Sequence, residues 1–425
     1  HSWLSAFISE QEMDRLAAAL DDLAKQLAAR DLYRLLLAFM EEDPFEDGKN
    51  AAPPNGFLYQ AVDPPAKDAV QVTFLAHFVH PTDELRILEP SFIQASDTGL
   101  CLLFNHLQAL LEMKPVTLFS KNIFGGRIHF QMKIIPVSSA ELEQMHRKGK
   151  KRPVTQKIQQ AIDEAAAEGA KVVALGAYTS IFTNNGLDLA EPENVKIITG
   201  NTLTAASGIA RLLYELRNNA NIQEKTTLGI VGAAGNIGRA IAKQMIKHHH
   251  DFDKIILVSH SEKQKSIIDH YYRENQPPEG QRLELISTTD LDYLKECGAI
   301  VLTTNANKPL IFPQHIKSDG PVLISDNSVP SAVSGEVIRM PQVRLIPFSS
   351  YIKLPEDPEF VISSHTQKGT VFCCAAEAVL CGLENVGLPL RGQIDERSIE
   401  LMEQLAVKWG LLGEFGTVSS FKSHA

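Results

Sequence analysis

Two adjacent cysteines, Cys373 and Cys374, stand near the start of an alanine-rich stretch, 369–387, that reads as a helix. Thr370 is the expected N-cap of this helix. Free N–H groups and the helix dipole at a first turn stabilise a thiolate, so either cysteine is a candidate nucleophile. The alternative is a pair of small buried residues in a tightly packed helix, because free cysteine is among the most buried residue types.

A glycine-rich loop carries the second chemical signal. The loop Gly232-Ala-Ala-Gly235-Asn-Ile-Gly238 follows the apolar run 228–231 and precedes a helix. The glycines allow a tight turn and a close approach of backbone to a pyrophosphate, and the helix start offers free N–H groups to the phosphates. The alternative is a strand–helix turn without a ligand. The residues expected to bind a dinucleotide are Gly232, Ala234, Gly235, Asn236, Ile237, Gly238, Ser259, His260, Thr304 and Asn305.

The tip of the next strand bears on the choice of cofactor. An NAD site usually has Asp or Glu there, which binds the ribose hydroxyls, whereas Ser259 and His260 occupy this position. No acidic group at the tip would repel a 2′-phosphate, although Glu262 is close in sequence. We therefore expect NADP(H) to be preferred over NAD(H). Thr304 and Asn305 end a later strand, on the side where the ligand crevice of such a sheet lies.

The elements that position these residues follow an α/β pattern. From residue 226 onward, short apolar runs alternate with helical stretches, which is typical of parallel strands covered on both faces. The predicted fold is α/β, with a Rossmann-type doubly wound parallel sheet, an N-terminal α/β substrate domain and a helical N-terminal extension. The predicted divisions are an acidic helical extension and linker at 1–56, a substrate and catalytic domain at 57–205, an NAD(P)-binding domain at 206–350, and a C-terminal helical segment at 351–425 that carries the cysteine and packs back on the substrate domain.

Composition narrows the function classes. The 425-residue chain has a formal net charge of −10, which argues against a nucleic-acid binder. Its five cysteines show no disulfide-scaffold spacing, so a cytoplasmic protein is expected. No apolar run approaches the roughly 20 residues that a membrane-spanning helix needs. No metal is predicted, because the consecutive histidines 248–250 point in different directions from a helix end.

Taken together, the motifs resemble those of the cyanobacterial-type long-chain acyl-(acyl carrier protein) reductases, which make fatty aldehydes from acyl thioesters. Matching stretches run in family order from about residue 70 to 412. Residues 1–69 have no counterpart in the short cyanobacterial form, and His260 stands where the family tends to have arginine. The matching strings are Phe74-Leu-Ala-His77, Ala174-Leu-Gly-Ala-Tyr-Thr-Ser-Ile181, Thr199-Gly-Asn-Thr-Leu-Thr-Ala205, residues 231–238, Phe372-Cys-Cys-Ala-Ala-Glu-Ala378 and residues 392–410.

The resemblance implies that Cys374 accepts the acyl group and that NAD(P)H then reduces the enzyme thioester to an aldehyde. Cys373 falls where the family usually has a small residue. Asn201 and Thr204, with Thr202, are candidate oxyanion donors. The alternative is that Asn201 and Thr202 merely cap the helix.

Two further residues complete the predicted catalytic set. Glu377, on the same helical face as Cys374, is a candidate proton carrier or a structural ion-pair partner. His77 is a candidate general acid, although a lone histidine is more often structural.

The same resemblance implies partners. They are an acyl carrier protein or acyl-CoA as substrate, and an enzyme that consumes the aldehyde. The basic run 146–152 either meets the acidic carrier or is an ordinary solvated loop. Two other functions stay open: a shikimate-dehydrogenase-like alcohol oxidoreductase, which would use a Lys/Asp pair and need no cysteine, and a non-catalytic dinucleotide-binding protein.

Overall fold

The computed structural model describes residues 63–82, 85, 96–111, 114–218, 226–274, 283–346, 349–360, 362 and 367–412. The helical extension predicted within 1–56 lies outside these residues. The chain divides into two compact units. The first comprises His1–Asn184, Asp188–Lys196 and Glu359–Gly369, and the second comprises Asn185–Leu187, Ile197–Pro358 and Thr370–Ala425. The chain crosses between the units more than once, so neither unit is one continuous stretch of sequence. The domain boundaries given above stay a prediction.

The first unit is built on a five-stranded sheet of order β2-β3-β1-β4-β5. Strand β1 pairs in parallel with β3 and with β4, and β2 runs antiparallel on β3. The central strand β1 is buried along most of its length, and helices of the same unit pack against it. The elements are β1 (Val70–Phe78), α1 (Asp97–Leu111), β2 (Val116–Ile123), β3 (Ile128–Ser138), α2 (Ser139–Arg147), α3 (Arg152–Ala167), β4 (Val172–Leu175), α4 (Tyr178–Phe182) and β5 (Lys196–Ile198).

The second unit contains a six-stranded parallel sheet of order β11-β10-β9-β6-β7-β8. Counted from its first strand, this is the 3-2-1-4-5-6 order of dinucleotide-binding folds. The elements are α5 (Asn201–Asn218), β6 (Thr226–Val231), α6 (Asn236–Lys247), β7 (Phe252–Val258), α7 (Glu262–Glu274), β8 (Glu284–Thr288), β9 (Ala299–Leu302), β10 (Val322–Asp326), α8 (Gly335–Ile338) and β11 (Val343–Leu345).

Alternate side chains of these strands enter two separate cores. Leu228 and Ile230 pack into one core, and Val231 packs into the other. A strand buried on both faces reads as a continuous apolar run, which is the pattern that predicted a doubly wound sheet. The predicted α/β class with a Rossmann-type parallel sheet is confirmed. Among the described residues, no helix combines the length and apolar character needed to span a membrane.

The C-terminal part of the second unit contains strands as well as helices. Strands β12 (Tyr351–Lys353) and β13 (Thr370–Phe372) form an antiparallel pair, and helices α9 (Cys373–Leu383) and α10 (Glu396–Lys408) follow. Thr370 is therefore not the N-cap of the cysteine helix, as the sequence suggested. The β-branched and aromatic side chains of 370–372 suit a strand, and the ladder with β12 holds them extended until the helix begins at Cys373.

Candidate active site

The two cysteines occupy the first turn of α9 and differ in exposure. Cys373 is 1% exposed, whereas Cys374 is only partly buried. The backbone N–H of Cys373 donates to the carbonyl oxygen of Ser350 at 3.1 Å, which ties the start of α9 to the residue before β12. Cys374 is therefore the member of the pair that is open to a reactant.

The start of α5 lies directly against Cys374. A β-carbon built on Gly200 would stand 2.3 Å from the Cβ of Cys374 and 2.4 Å from its Cα. Gly200 also has a φ of +69°, which side chains other than glycine rarely tolerate. Glycine at position 200 therefore permits the N-termini of α5 and α9 to touch.

Glu377 joins the same two helices. Its carboxylate accepts from the backbone N–H of Gly200 at 3.1 Å and from that of Leu203 at 2.7 Å, and the side chain is fully buried. Free N–H groups at a helix start need acceptors, and here a residue of another helix supplies them. Of the two roles predicted for Glu377, these contacts favour the structural one, with the carboxylate capping the start of α5.

The predicted oxyanion donors separate into two kinds. The Thr204 hydroxyl donates to the carbonyl oxygen of Gly200 at 2.9 Å, so its proton is used within the helix. The Asn201 amide makes one long contact, 3.5 Å to Oδ1 of Asn185, and its second N–H has no partner among the described residues. Asn201 therefore remains a candidate donor, and Thr204 does not. Neither Asn201 nor Thr202 caps the helix, since Glu377 does.

The pKa values of both thiols are raised, whereas the helix start was expected to lower them. Burial raises the pKa of Cys374 to about 12, with Cys373 and Glu377 adding to the effect. Backbone N–H groups of Cys374 and Ala375 lower the pKa by less than burial raises it. Burial also raises the pKa of Cys373, against the opposing charge of Arg211. The prediction of a resting thiolate is therefore wrong, because desolvation outweighs the helix dipole and leaves a neutral thiol at pH 7.

His77 ends β1 in the first unit and is fully occupied by structural contacts. Its Nδ1 lies 3.0 Å from the carbonyl oxygen of Phe78, and its Nε2 accepts from the backbone N–H of Tyr178 at 3.3 Å. Burial lowers the pKa of His77 to about 4. A neutral ring with both nitrogens engaged has no proton to give at pH 7, so the contacts assign His77 a structural role in place of the predicted general acid.

The glycine loop has the predicted strand–turn–helix setting. Gly232 adopts a φ of +86°, and a β-carbon there would lie 2.6 Å from the carbonyl oxygen of Thr303. A β-carbon on Gly238 would lie 2.3 Å from the carbonyl oxygen of Gly232. Gly235 is exposed and precedes α6 without any side-chain cap, so no cap residue occupies the N–H groups at the helix start. This arrangement fits a pyrophosphate at the start of α6.

Other residues of this loop that were predicted to bind the dinucleotide make contacts within the protein. The Asn236 amide donates to the carbonyl oxygen of Gly392 at 2.8 Å and accepts from the N–H of Ile394 at 3.3 Å. Asn236 therefore fastens the segment after α9 to the start of α6. Ala234 and Ile237 are partly buried and pack against the core under the sheet. Their side chains support the loop, which leaves its backbone to meet a ligand.

At the tip of β7, Ser259 and His260 stand where an NAD site usually has an acidic residue. Ser259 is buried and its hydroxyl has no partner among the described residues, while the exposed His260 ring contacts Gln264 at 2.9 Å. The Glu262 carboxylate accepts from the Thr289 hydroxyl at 2.9 Å. At the end of β9, the N–H of Thr304 donates to the Ser328 hydroxyl at 3.2 Å, and Asn305 is exposed.

Helix α5 connects the two parts of the site. It packs against α9, which carries the cysteines, and against α6, which follows the glycine loop. Cys374, Glu377, Asn201 and the loop thus belong to one unit with α5 in common, whereas His77 belongs to the first unit. Tyr351 was missed by the sequence analysis. Its place near the start of α9 depends on strand pairing, for which the local sequence carries no signal.

Comparisons with known proteins are distant. No family model matches the chain. A stretch of 157 residues, 36% of this chain, is 27% identical to the aminotransferase PigE of Serratia sp. (strain ATCC 39006), and it covers only 18% of PigE. Among solved structures, an L-tryptophan dehydrogenase from Nostoc punctiforme has a TM-score of 0.34 at 10% identity, over 82% of this chain and 81% of that one.

An aspartate transcarbamoylase from Trypanosoma cruzi has a TM-score of 0.28 at 11% identity, over 65% of this chain and 78% of that one. None of these three proteins is named as an acyl-thioester reductase. The family resemblance of the motifs therefore stays a prediction.

Proposed function

We propose that this chain is a dinucleotide-dependent oxidoreductase that reduces an acyl thioester to an aldehyde through an acyl-enzyme on Cys374. The observation that carries the proposal is the contact between the first turn of α9 and the start of α5, which holds the partly exposed Cys374 beside Asn201. The glycine loop and the Rossmann-type sheet of the same unit support a nicotinamide cofactor.

The first half-reaction needs no cofactor. The sulfur of Cys374 attacks the thioester carbonyl, the bond from the acyl carbon to the carrier sulfur breaks, and the thiol proton passes to the departing sulfur. Because the resting thiol is neutral, the departing thiolate is a suitable acceptor for this proton. The free N–H of Asn201 is the proposed donor to the oxyanion that forms during attack. The substrate is proposed to be carried by an acyl carrier protein or by CoA.

The cofactor, when bound, supplies a hydride to the acyl carbon. The residues proposed to hold it are the loop 232–238, with Ser259 and His260 beside the adenosine ribose and Thr304 and Asn305 at the crevice. NADP(H) is proposed over NAD(H), since Ser259 and His260, rather than an acidic residue, occupy the tip of β7. Release of the aldehyde frees Cys374 for another turnover. The proposed partner is an enzyme that consumes the aldehyde, because aldehydes are reactive products.

Intact-mass spectrometry tests the acyl-enzyme. The protein is incubated with palmitoyl-CoA or lauroyl-CoA in the absence of cofactor, as wild type, Cys374→Ser and the matched variant Cys373→Ser. We expect one hydroxylamine-labile acyl adduct in wild type and in Cys373→Ser, and none in Cys374→Ser. Addition of NADPH should remove the adduct and release the aldehyde.

An adduct that persists in Cys374→Ser would overturn the assignment of the nucleophile. Absence of any adduct in wild type, together with NADP-linked oxidation of an alcohol, would favour the shikimate-dehydrogenase-like reading. Cofactor binding without either activity would leave a non-catalytic dinucleotide binder.

A further inference from the structure

Reduction of a thioester to an aldehyde consumes one hydride and one proton. None of the predicted catalytic residues Glu377, Thr204 and His77 is placed to donate that proton. The Glu377 carboxylate accepts hydrogen bonds from the N–H groups of Gly200 and Leu203. The Thr204 hydroxyl already donates a hydrogen bond to the carbonyl oxygen of Gly200. His77 has a neutral ring with both nitrogens engaged. A further acid is needed in the unit that carries Cys374.

Tyr351 lies close to the start of α9, the helix that carries Cys374. It is paired directly with Phe372 in the β12–β13 ladder, and their rings are in contact, tilted by 36° with centroids 5.2 Å apart. Phe372 immediately precedes the first turn of α9, so this pairing holds the tyrosine next to the cysteines. The neighbouring Ser350 strengthens the link, because its carbonyl accepts from Cys373 and its hydroxyl donates to the carbonyl oxygen of Asp326.

The burial, hydrogen bonding and pKa of the Tyr351 side chain suit a proton donor. It is partly buried, and its hydroxyl has no hydrogen-bond partner among the described residues. Burial raises the pKa of Tyr351 to about 12, with further contributions from Asp326, Cys373 and Cys374. The pKa of Cys374 is also raised to about 12. Because burial raises both pKa values, the phenol keeps its proton at pH 7, and the thiolate released from Cys374 is basic enough to attract it.

We propose, on the basis of the function proposed above, that the phenol of Tyr351 is the proton donor to the sulfur of Cys374 when the aldehyde is released. After hydride addition, the oxyanion reforms the carbonyl and the bond from carbon to sulfur breaks. The electron pair of that bond goes to the sulfur, which takes the proton of the Tyr351 hydroxyl. Water then reprotonates the tyrosinate. The cycle thus uses one hydride and one solvent proton, and it returns the cysteine as a neutral thiol.

Single-turnover reduction of the pre-formed acyl-enzyme tests this role. Wild type, Tyr351→Phe and the control Tyr293→Phe, whose ring is 39% exposed, are acylated with palmitoyl-CoA and then mixed with NADPH. We expect all three to acylate at similar rates, and Tyr351→Phe to release aldehyde about 100-fold more slowly, as removal of a general acid does. We also expect the solvent deuterium isotope effect on release to be lost in this variant.

Release from Tyr351→Phe at the wild-type rate, with the wild-type isotope effect, would overturn the inference while leaving the acyl-enzyme intact. Failure of wild type to acylate at all would instead defeat the proposed function, so the two failures are distinguishable. Should Tyr351→Phe not fold, a fluorinated tyrosine at position 351 keeps the ring and lowers the phenol pKa. An unchanged rate of aldehyde release in that protein would equally contradict the role.

Discussion

Gly200 and Cys374 are in direct contact, with no room between them for a single additional carbon atom. The β-carbon position of Gly200 falls 2.3 Å from the Cβ of Cys374, and the glycine holds a φ of +69°. The start of α5 and the start of α9 are therefore locked together by a residue without a side chain. Most of what can be predicted about the candidate site follows from this contact and from the carboxylate of Glu377 that bridges the same helices.

Gly200→Ala should damage both stability and acylation. The new methyl group meets the Cys374 backbone and side chain, and the positive φ adds strain, so we expect the free energy of unfolding to fall by about 3 kcal/mol. Urea denaturation followed by circular dichroism measures this change. Gly387→Ala is the matched control, because Gly387 has open space around it. Equal stability of the two variants would contradict the contact.

Glu377→Gln should lower stability because the amide cannot replace the carboxylate at both N–H groups. The Gln oxygen serves either Gly200 or Leu203, and its NH₂ group then faces the other donor, so we expect a loss of about 1–3 kcal/mol. Glu336→Gln, at an exposed site, is the control and should be neutral. If Glu377 carried protons instead, its substitution would reshape the pH profile of aldehyde release while leaving the urea midpoint in place.

His77 should make the protein less stable in mild acid. Its pKa in the folded state is about 4, below the ordinary value of 6.5, so the unfolded chain binds more protons between these values. The contribution is complete above pH 6.5 and is lost as the pH falls toward 4, by up to about 3 kcal/mol. Urea denaturation at pH 7 and pH 5 measures the loss.

The variant His77→Gln should show a shallower fall in stability between these two pH values than wild type. His250→Gln replaces an exposed histidine and should keep the wild-type slope. A slope that His77→Gln leaves unchanged would mean that other groups, such as His129 and His146, whose pKa values burial also lowers, account for the acid sensitivity.

His260→Asp should shift the cofactor preference toward NADH. A carboxylate at the tip of β7 would repel a 2′-phosphate and accept from ribose hydroxyls, so we expect the ratio of the two dissociation constants to change by about tenfold or more. Fluorescence titration with NADPH and NADH measures both constants. His250→Asp adds the same charge just before β7, at the opposite end of the strand, and should leave the ratio unchanged.

The sequence alone was sufficient to predict the Rossmann-type parallel sheet of the second unit, but not its β12–β13 pair. Parallel strands buried on both faces are apolar throughout, and the helices between them are amphipathic, so the order of elements is visible along the chain. The glycine loop was equally predictable. Its conformation depends on residues within a few positions of one another, as the positive φ of Gly232 and the uncapped start of α6 illustrate.

The sequence also predicted a cysteine pair at a helix start. The predicted Thr370 N-cap and the predicted thiolate at Cys374 were both wrong. Thr370 joins a strand whose partner is β12, which local propensity cannot reveal. The pKa of Cys374 depends on how much water the folded chain removes from around the sulfur, and desolvation exceeded the stabilisation that the helix start provides.

What the sequence determined by itself was therefore the set of elements and the residues with chemical potential. The tertiary structure decided the partners. It brought Glu377 to the N–H groups of Gly200 and Leu203, engaged both nitrogens of His77, and set Tyr351 opposite Phe372. The physical reason is that secondary structure follows from neighbours in sequence, whereas hydrogen-bond satisfaction, burial and pKa follow from atoms that only folding makes neighbours.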